Sequence, residues 1–247
     1  MCEKIQKILA RHGYGSRRYI ESLIKSHSVK INDEVVKVGQ RISINVIQKV
    51  IINNNNYKPK LNINKSLKVL LYNKPEGEIC TRKDQRNRRT IFEKLPKLSN
   101  ARWINIGRLD LNSSGLLLFT TDGELAYRLT HPSFNIERIY KVRVFGQFTE
   151  NILKQLNVRV KLLDGYANFK SIQFKYGEGK NKWFNVSLCE GRHRIVRRIW
   201  EKLGFQVNKL VRISYAHLTL PKTLFPGTWI TLNKHDIDVL CKKVNLR

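Results

Sequence analysis

The apolar residues of this chain come in short bursts. Segments 67–72, 116–120 and 183–188 are apolar-rich and bounded by polar or glycine-containing stretches. No uninterrupted run reaches the roughly 18 apolar residues of a membrane-spanning helix. A transmembrane helix is therefore excluded, and the fold must be assembled from several short elements packed on one another. With 41% of its 247 residues apolar, the chain has material for a substantial core.

Helical spacing appears first. Ile5, Ile8 and Leu9 share one face, Gly13 and Gly15 end that helix, and Ser16 caps a second one carrying Ile20, Leu23 and Ile24. Segments 29–31 and 35–38 then flank Asn32-Asp33-Glu34 as a β-hairpin. This ααβ order brings Arg11, Arg17, Arg18 and Lys25 near one surface. Residues 53–60 are polar, low in complexity and contain Pro59, so they read as a flexible linker continuing to about Lys65. The expected organisation is a small domain over residues 1–50, a linker over 51–65 and a larger domain over 66–247.

Past the linker, strand and helix patterns alternate irregularly. Segments 103–106, 140–144 and 169–174 join the strand candidates above. Residues 122–129 read as a short helix capped by Asp122. Residues 194–203 read as a helix with Ile195, Ile199 and Leu203 inward and Gly204 after its end. The pattern predicts an α+β fold with a mixed or antiparallel sheet, not a βαβ repeat, and no glycine-rich nucleotide fingerprint is present.

Lys and Arg number 47 against 19 Asp and Glu, a formal net charge of +28 carried by both parts of the chain. Such an excess implies a polyanionic partner held by phosphate contacts and counterion release. Nucleic acid fits better than a membrane, because no strongly amphipathic basic helix dominates. The competing explanation is a composition biased toward Lys, Asn and Ile, with lysines merely solvated. Cys2, Cys80, Cys189 and Cys241 lie far apart and the six histidines are scattered, so neither a zinc site nor a disulfide framework is expected. The start, Met1 to Lys7, lacks the continuous apolar core of a secretory leader, and a cytoplasmic location is expected.

Four clusters carry candidate chemistry. The first, G-R-L-D-L-N-S-S-G-L-L-L at 107–118, sets Asp110 in a polar turn between apolar strands, beside Arg108. A carboxylate partly screened there is costly unless a cation faces it, the condition a nucleophilic or proton-transferring carboxylate needs. The same Asp-x-Asn-Ser pattern also serves as a turn cap. The second, at 190–198, brings Arg192, Arg194, Arg197 and Arg198 to a strand-to-helix junction, either as phosphate contacts or as an exposed basic face. Helical register groups Arg194 with Arg198 and turns Arg197 to a different face. The third holds Arg82, Arg86, Arg88 and Arg89 in a polar loop that orders on RNA or stays solvated. The fourth is Tyr140 at a strand start, either a base-stacking ring or a core residue.

Together these segments resemble the RsuA/RluB family of rRNA pseudouridine synthases. The resemblance runs through G-R-L-D at 107–110, T-T-D-G-E-L-A at 120–126, E-R-I-Y at 137–140 and E-G-R-H-R-I-V-R-R at 190–198, and continues at 208–213 and 226–229. V-F-G-Q at 144–147 and Y-G-E-G-K-N-K-W-F-N-V at 176–186 are similar to the large-subunit branch. G-Y-G-S-R-R at 13–18 and V-K-I-N at 29–32 resemble an S-four-like RNA-binding domain. The implied reaction is isomerisation of one uridine in large-subunit (23S) rRNA, free or in a ribosome assembly intermediate, with base flipping. It needs no metal or organic cofactor, and the enzyme is expected to be a monomer.

The resemblance makes Asp110 the essential catalytic aspartate. It implies that Tyr140 stacks on the flipped uracil and assists proton removal, and that Arg197 pairs with Asp110 and keeps it ionised. It further implies that Arg108 fills the space left by the flipped base and that Leu210 lines the uracil pocket. RNA contacts are expected from Arg11, Arg17, Arg18, Lys25, Arg82, Arg86, Arg88, Arg89, Arg192, Arg194 and Arg198. His193, Ile195 and Ser113-Ser114 depart from the family's more usual residues. With its end at Arg247, the chain is expected to lack the targeting contribution of the long basic tail found in some large-subunit synthases.

Overall fold

Residues 2–57, 67–99, 101–149 and 159–246 are described by the structure, a computed structural model. They form two compact units, residues 1–67 with 97–103, and residues 68–96 with 104–247. Residues 97–103 group with the first unit, away from their neighbours in sequence.

In the first unit, β1 (Cys2–Lys4) leads directly into α1 (Ile5–Arg11). The Ser16 hydroxyl then accepts the Tyr19 backbone N–H at 3.0 Å and starts α2 (Arg17–Lys25), as its spacing predicts. Strands β2 (Val29–Ile31), β3 (Glu34–Val35), β4 (Arg41–Ser43), β5 (Val50–Ile52) and β6 (Asn55–Tyr57) follow. The sheet order is β3-β2-β5-β6, while β1 pairs with β4. Ile5, Ile8, Leu9, Ile20 and Ile24 from the helices pack with Val29, Ile31, Val50 and Ile52 from the sheet.

The flexible linker expected from residue 51 is corrected here. Residues 51–57 complete a β-hairpin in which Ile52 pairs with Asn55 across Asn53 and Asn54. Both turn residues are left-handed, at φ 50° and 62°, which is the backbone a two-residue hairpin turn requires and Asn tolerates. Asn32 and Asp33 turn the β2–β3 hairpin in the same way, at φ 50° and 72°. The rest of the expected linker, 58–65, lies outside the described residues.

The second unit is built on a mixed sheet. Its strands are β7 (Val69–Lys74), β8 (Ile104–Ile106), β9 (Ser114–Thr120), β10 (Arg138–Phe145), β11 (Val160–Leu162), β12 (Gly165–Ala167), β13 (Ser171–Tyr176), β14 (Asn181–Leu188), β15 (Gln206–Tyr215), β16 (Leu218–Thr219) and β17 (Trp229–Thr231). Its helices among the described residues are α3 (Gly123–Thr130), α4 (Ile195–Lys202) and α5 (Lys234–Lys243). The sheet order is β13-β14-β10-β15-β9-β7-β17, with β16 beside β15 and β8 beside β9; β11 and β12 pair apart from it. The Asp122 carboxylate caps α3 by accepting the Glu124 and Leu125 amides at 2.8 Å.

One joint in this sheet is parallel, between β9 and β15, where Arg212 registers on Gly115. Gly115 sits at φ 102°, and a Cβ there would collide with the Arg212 main chain, so glycine is required for the strands to meet. Tyr140 registers on Arg212 from the other side. Tyr140, Arg212 and Gly115 therefore lie in one row across β10, β15 and β9, a few residues past the Asp110 turn.

Candidate active site

Three side chains, those of Cys80, Arg197 and Lys74, fasten the main chain of the turn holding Asp110. Cys80 donates its thiol to the Leu109 carbonyl at 3.2 Å and receives the Leu109 N–H at 3.4 Å. Arg197 donates from Nη2 to the Asn112 carbonyl at 2.8 Å. Lys74, wholly buried at the end of β7, donates from Nζ to the Ser113 carbonyl and to that of Pro75, both at 2.8 Å. Inside the turn, the Ser113 N–H donates to the Asp110 carbonyl at 3.1 Å. Burial pushes the Cys80 thiol pKa up, so it stays protonated and able to donate. Burial pulls Lys74 below its ordinary value, opposed by nearby acidic groups that include Asp110.

The half-buried Asp110 makes no ion pair among the described residues. It opens on a cavity of about 200 Å³ lined by Arg108, Ser113, Arg138, Tyr140, His193, Leu210 and Arg212 among others. Tyr140 comes from β10 and is 7% exposed, while Leu210 comes from β15 and is 4% exposed. On its other side Asp110 borders a wider depression of about 460 Å³, lined by Cys80, Lys83, Arg86, Arg88 and Arg108. One carboxylate is thus shared by a pocket walled by arginines together with Tyr140 and Leu210, and by a basic trough.

The expected Asp110–Arg197 pair is corrected by this geometry. Arg197 is buried on α4, as its register suggests, but its two terminal nitrogens donate to the carbonyls of Val207 at 2.6 Å and Asn112 at 2.8 Å. Burial lowers the guanidinium pKa, Arg194 adds to the shift, and the Asp110 charge opposes it. Arg197 therefore acts on Asp110 through the turn and through its field, without a direct salt bridge.

Several residues expected on RNA have protein partners. Arg192 and Arg198 bind Asp164, and Arg192 also binds Glu190. Arg194 reaches Glu201 at 3.3 Å. In the loop at 82–89, Asp84 accepts the amides of Arg86 and Arg88 and the Arg88 guanidinium, which holds its carboxyl down at about 2. Arg82 lies 4.2 Å over the Phe92 ring. The loop thus has its own internal order and is not simply solvated, and it leaves Arg86 and Arg89 exposed. In the first unit Arg11 pairs with Glu3 and Lys25 with Glu21, whereas Arg17 and Arg18 are exposed.

Arg138 and Arg212 were not singled out from the sequence. Both are at least nine-tenths buried, both line the cavity, and each holds its guanidinium carbon 5.1 Å from the Tyr215 ring. Arg138 had a signal, its place two residues before Tyr140 and hence on the same strand face. Among the described residues no cluster of His, Cys, Asp or Glu side chains is arranged to hold a metal ion, and no helix is long and apolar enough to cross a membrane.

Residues 68–202, a range that includes Asp110, Tyr140 and Arg197, match the family model described as RNA pseudouridylate synthase. The chain belongs to that family. Residues 3–47 of this synthase match the S4 domain model. It is 50% identical over 246 residues to the ribosomal large subunit pseudouridine synthase B of Escherichia coli O6:H1, covering 100% of this chain and 84% of that protein. The protein of the same description from Salmonella typhimurium is 51% identical, again over 100% of this chain and 84% of the relative. Among solved structures, a crystal structure of a pseudouridylate synthase aligns with TM-score 0.65 and 25% identity, covering 96% of this chain and 99% of that one.

Proposed function

We propose that this synthase converts one uridine of large-subunit rRNA to pseudouridine, acting as a cytoplasmic monomer, with Asp110 as the catalytic residue. The observation that carries the proposal is the shared cavity. Asp110 and Tyr140 come from separate segments yet line one pocket with Leu210, of a size suited to a single base. Base flipping fits that shape, because C1′ and the ring face are inaccessible while a base is stacked.

In the reaction the N1–C1′ bond breaks, the uracil turns while bound, and C5 bonds to C1′. The hydrogen on C5 leaves and N1 gains a proton, so nothing is oxidised overall. Asp110 acts at the ribose or the ring, Tyr140 stacks on the uracil and assists removal of the C5 proton, and Leu210 forms the apolar wall. Arg108, exposed at the cavity mouth, fills the space the base vacates. Arg197 holds the turn that carries the carboxylate. The N-terminal unit contributes Arg17 and Arg18, and the loop at 82–89 contributes Arg86 and Arg89, to phosphate contacts.

The test is pseudouridine mapping of large-subunit rRNA incubated with the protein. One new pseudouridine is expected. Tight RNA binding with no pseudouridine on naked or ribosomal RNA would make the chain a ribosome assembly factor instead.

A further inference from the structure

Arg192 and Arg198 brace a second element at the cavity rim. Between β11 and β12 the chain turns at Leu163 and Asp164. Arg198 grips the Asp164 carboxylate through two hydrogen bonds of 2.9 Å, from Nη1 to Oδ1 and from Nη2 to Oδ2. Arg192, itself a wall of the cavity, donates to Asp164 Oδ1 and the Asp164 carbonyl at 3.1 Å and to the Tyr166 carbonyl at 2.8 Å. Strand β11 packs against α4. The hairpin is therefore held in place by the same arginines that the sequence suggests for phosphate.

What the clasp presents is apolar. Leu163 is 106% exposed and Tyr166 59% exposed, at the tip and just past it. Exposed Arg159 and Lys161 precede them on the chain, Lys161 opposite Tyr166 in the hairpin and the Arg159 guanidinium 5.9 Å from the Tyr166 ring. Asp164, the one acid between residues 159 and 167, is neutralised by two guanidiniums. An exposed leucine alone carries no message. A leucine and a tyrosine on a turn braced by a cavity-wall arginine, with two cations on the adjoining stretch of chain, match the face of an unstacked base and its phosphates.

We propose that the 160–167 hairpin is an RNA-contacting arm. Leu163 and Tyr166 pack on bases laid bare beside the nucleotide held in the cavity, and Arg159 and Lys161 meet the adjoining phosphates. This rests on the pseudouridine reading of the cavity, since extracting a nucleotide is what leaves neighbouring base faces uncovered. Arg192 and Arg198 then act as positioning residues for the arm.

The experiment compares wild type with the double variant Leu163→Ala, Tyr166→Ala on large-subunit rRNA carrying tritium at uridine C5, measuring tritium release and RNA affinity. Both side chains stand in solvent, so the melting temperature is expected to stay unchanged. Loss of base packing lowers kcat/KM and affinity about tenfold. Leu163→Met retains the wild-type values, whereas Leu163→Lys, which adds a cation, does not. Kinetics and affinity of the double variant within about twofold of wild type would overturn the arm, as would a fully active Leu163→Lys. If wild type releases no tritium, the pseudouridine reading falls, while weakened RNA binding by the double variant still upholds the arm.

Discussion

Arg197 donates a 2.8 Å hydrogen bond from Nη2 to the main-chain oxygen of Asn112, two residues past Asp110. The guanidinium thus holds the turn that carries the carboxylate without touching the carboxylate itself. Its other terminal nitrogen ties the same helix to Val207 on β15, so helix, turn and strand meet at one side chain.

Replacing Arg197 tests that role. Arg197→Lys keeps the charge but has no planar fork to span both carbonyls. A displaced turn is expected to lower kcat about a hundredfold with little change in KM. Arg197→Met removes two charge-assisted hydrogen bonds and is expected to cost about 3 kcal/mol of stability by chemical denaturation. A selective loss of RNA affinity would instead make Arg197 a phosphate contact.

Cys80 offers a milder perturbation of the same turn. Cys80→Ser preserves a donor and an acceptor for Leu109 and is expected to retain most activity. Cys80→Ala leaves both Leu109 groups without that partner and is expected to cost about 1 kcal/mol and several-fold in kcat. Equal activity in both variants would show that the thiol contact does not position Asp110.

The Asp164 clasp should respond to acid. Its hydrogen bond with Arg198 holds the carboxyl below its ordinary 3.8, so the folded state has the lower value. The contribution is complete above 3.8 and is lost as pH falls through the folded value. Backbone amide shifts of Leu163 and Gly165 are expected to stay native at the ordinary carboxyl value and to change only at lower pH. In Asp164→Asn the charge pair is absent at every pH, and those shifts are expected to differ throughout.

Asn53 and Asn54 show why part of the fold was not legible in sequence. An Asn-rich stretch ending near Pro59 has the composition of a linker, yet Asn-Asn is also suited to a turn with two left-handed residues. The choice depends on whether the flanking residues find sheet partners. Val50 and Ile52 do, in the core shared with α1 and α2. Asn54→Gly is expected to be tolerated, whereas Asn54→Ala is expected to cost about 1 kcal/mol in the N-terminal unit, by hydrogen exchange of the β5 amides. No cost would restore the linker reading of 53–57.

Elsewhere periodicity was enough. Ser16 and Asp122 start their helices where their spacing predicts, and the apolar stretches after Lys68 and Ser114 become neighbouring strands. Asp110, Tyr140 and Leu210 were legible through motif order, and the fold gathers them at one cavity. The partners of charged groups were not legible. Arg192 and Arg198 look alike to any sequence rule, but Asp164, about 30 residues earlier, claims both. Arg138 and Arg212 become cavity residues only because β10 and β15 pair side by side.

The most direct measurement is tritium release from large-subunit rRNA labelled at uridine C5, by wild type and by Asp110→Asn, with RNA affinity measured at the same salt concentration. The predicted result is release by wild type, none by Asp110→Asn, and equal affinity for both. Release by Asp110→Asn at the wild-type rate would contradict the assignment of Asp110 as the catalytic residue.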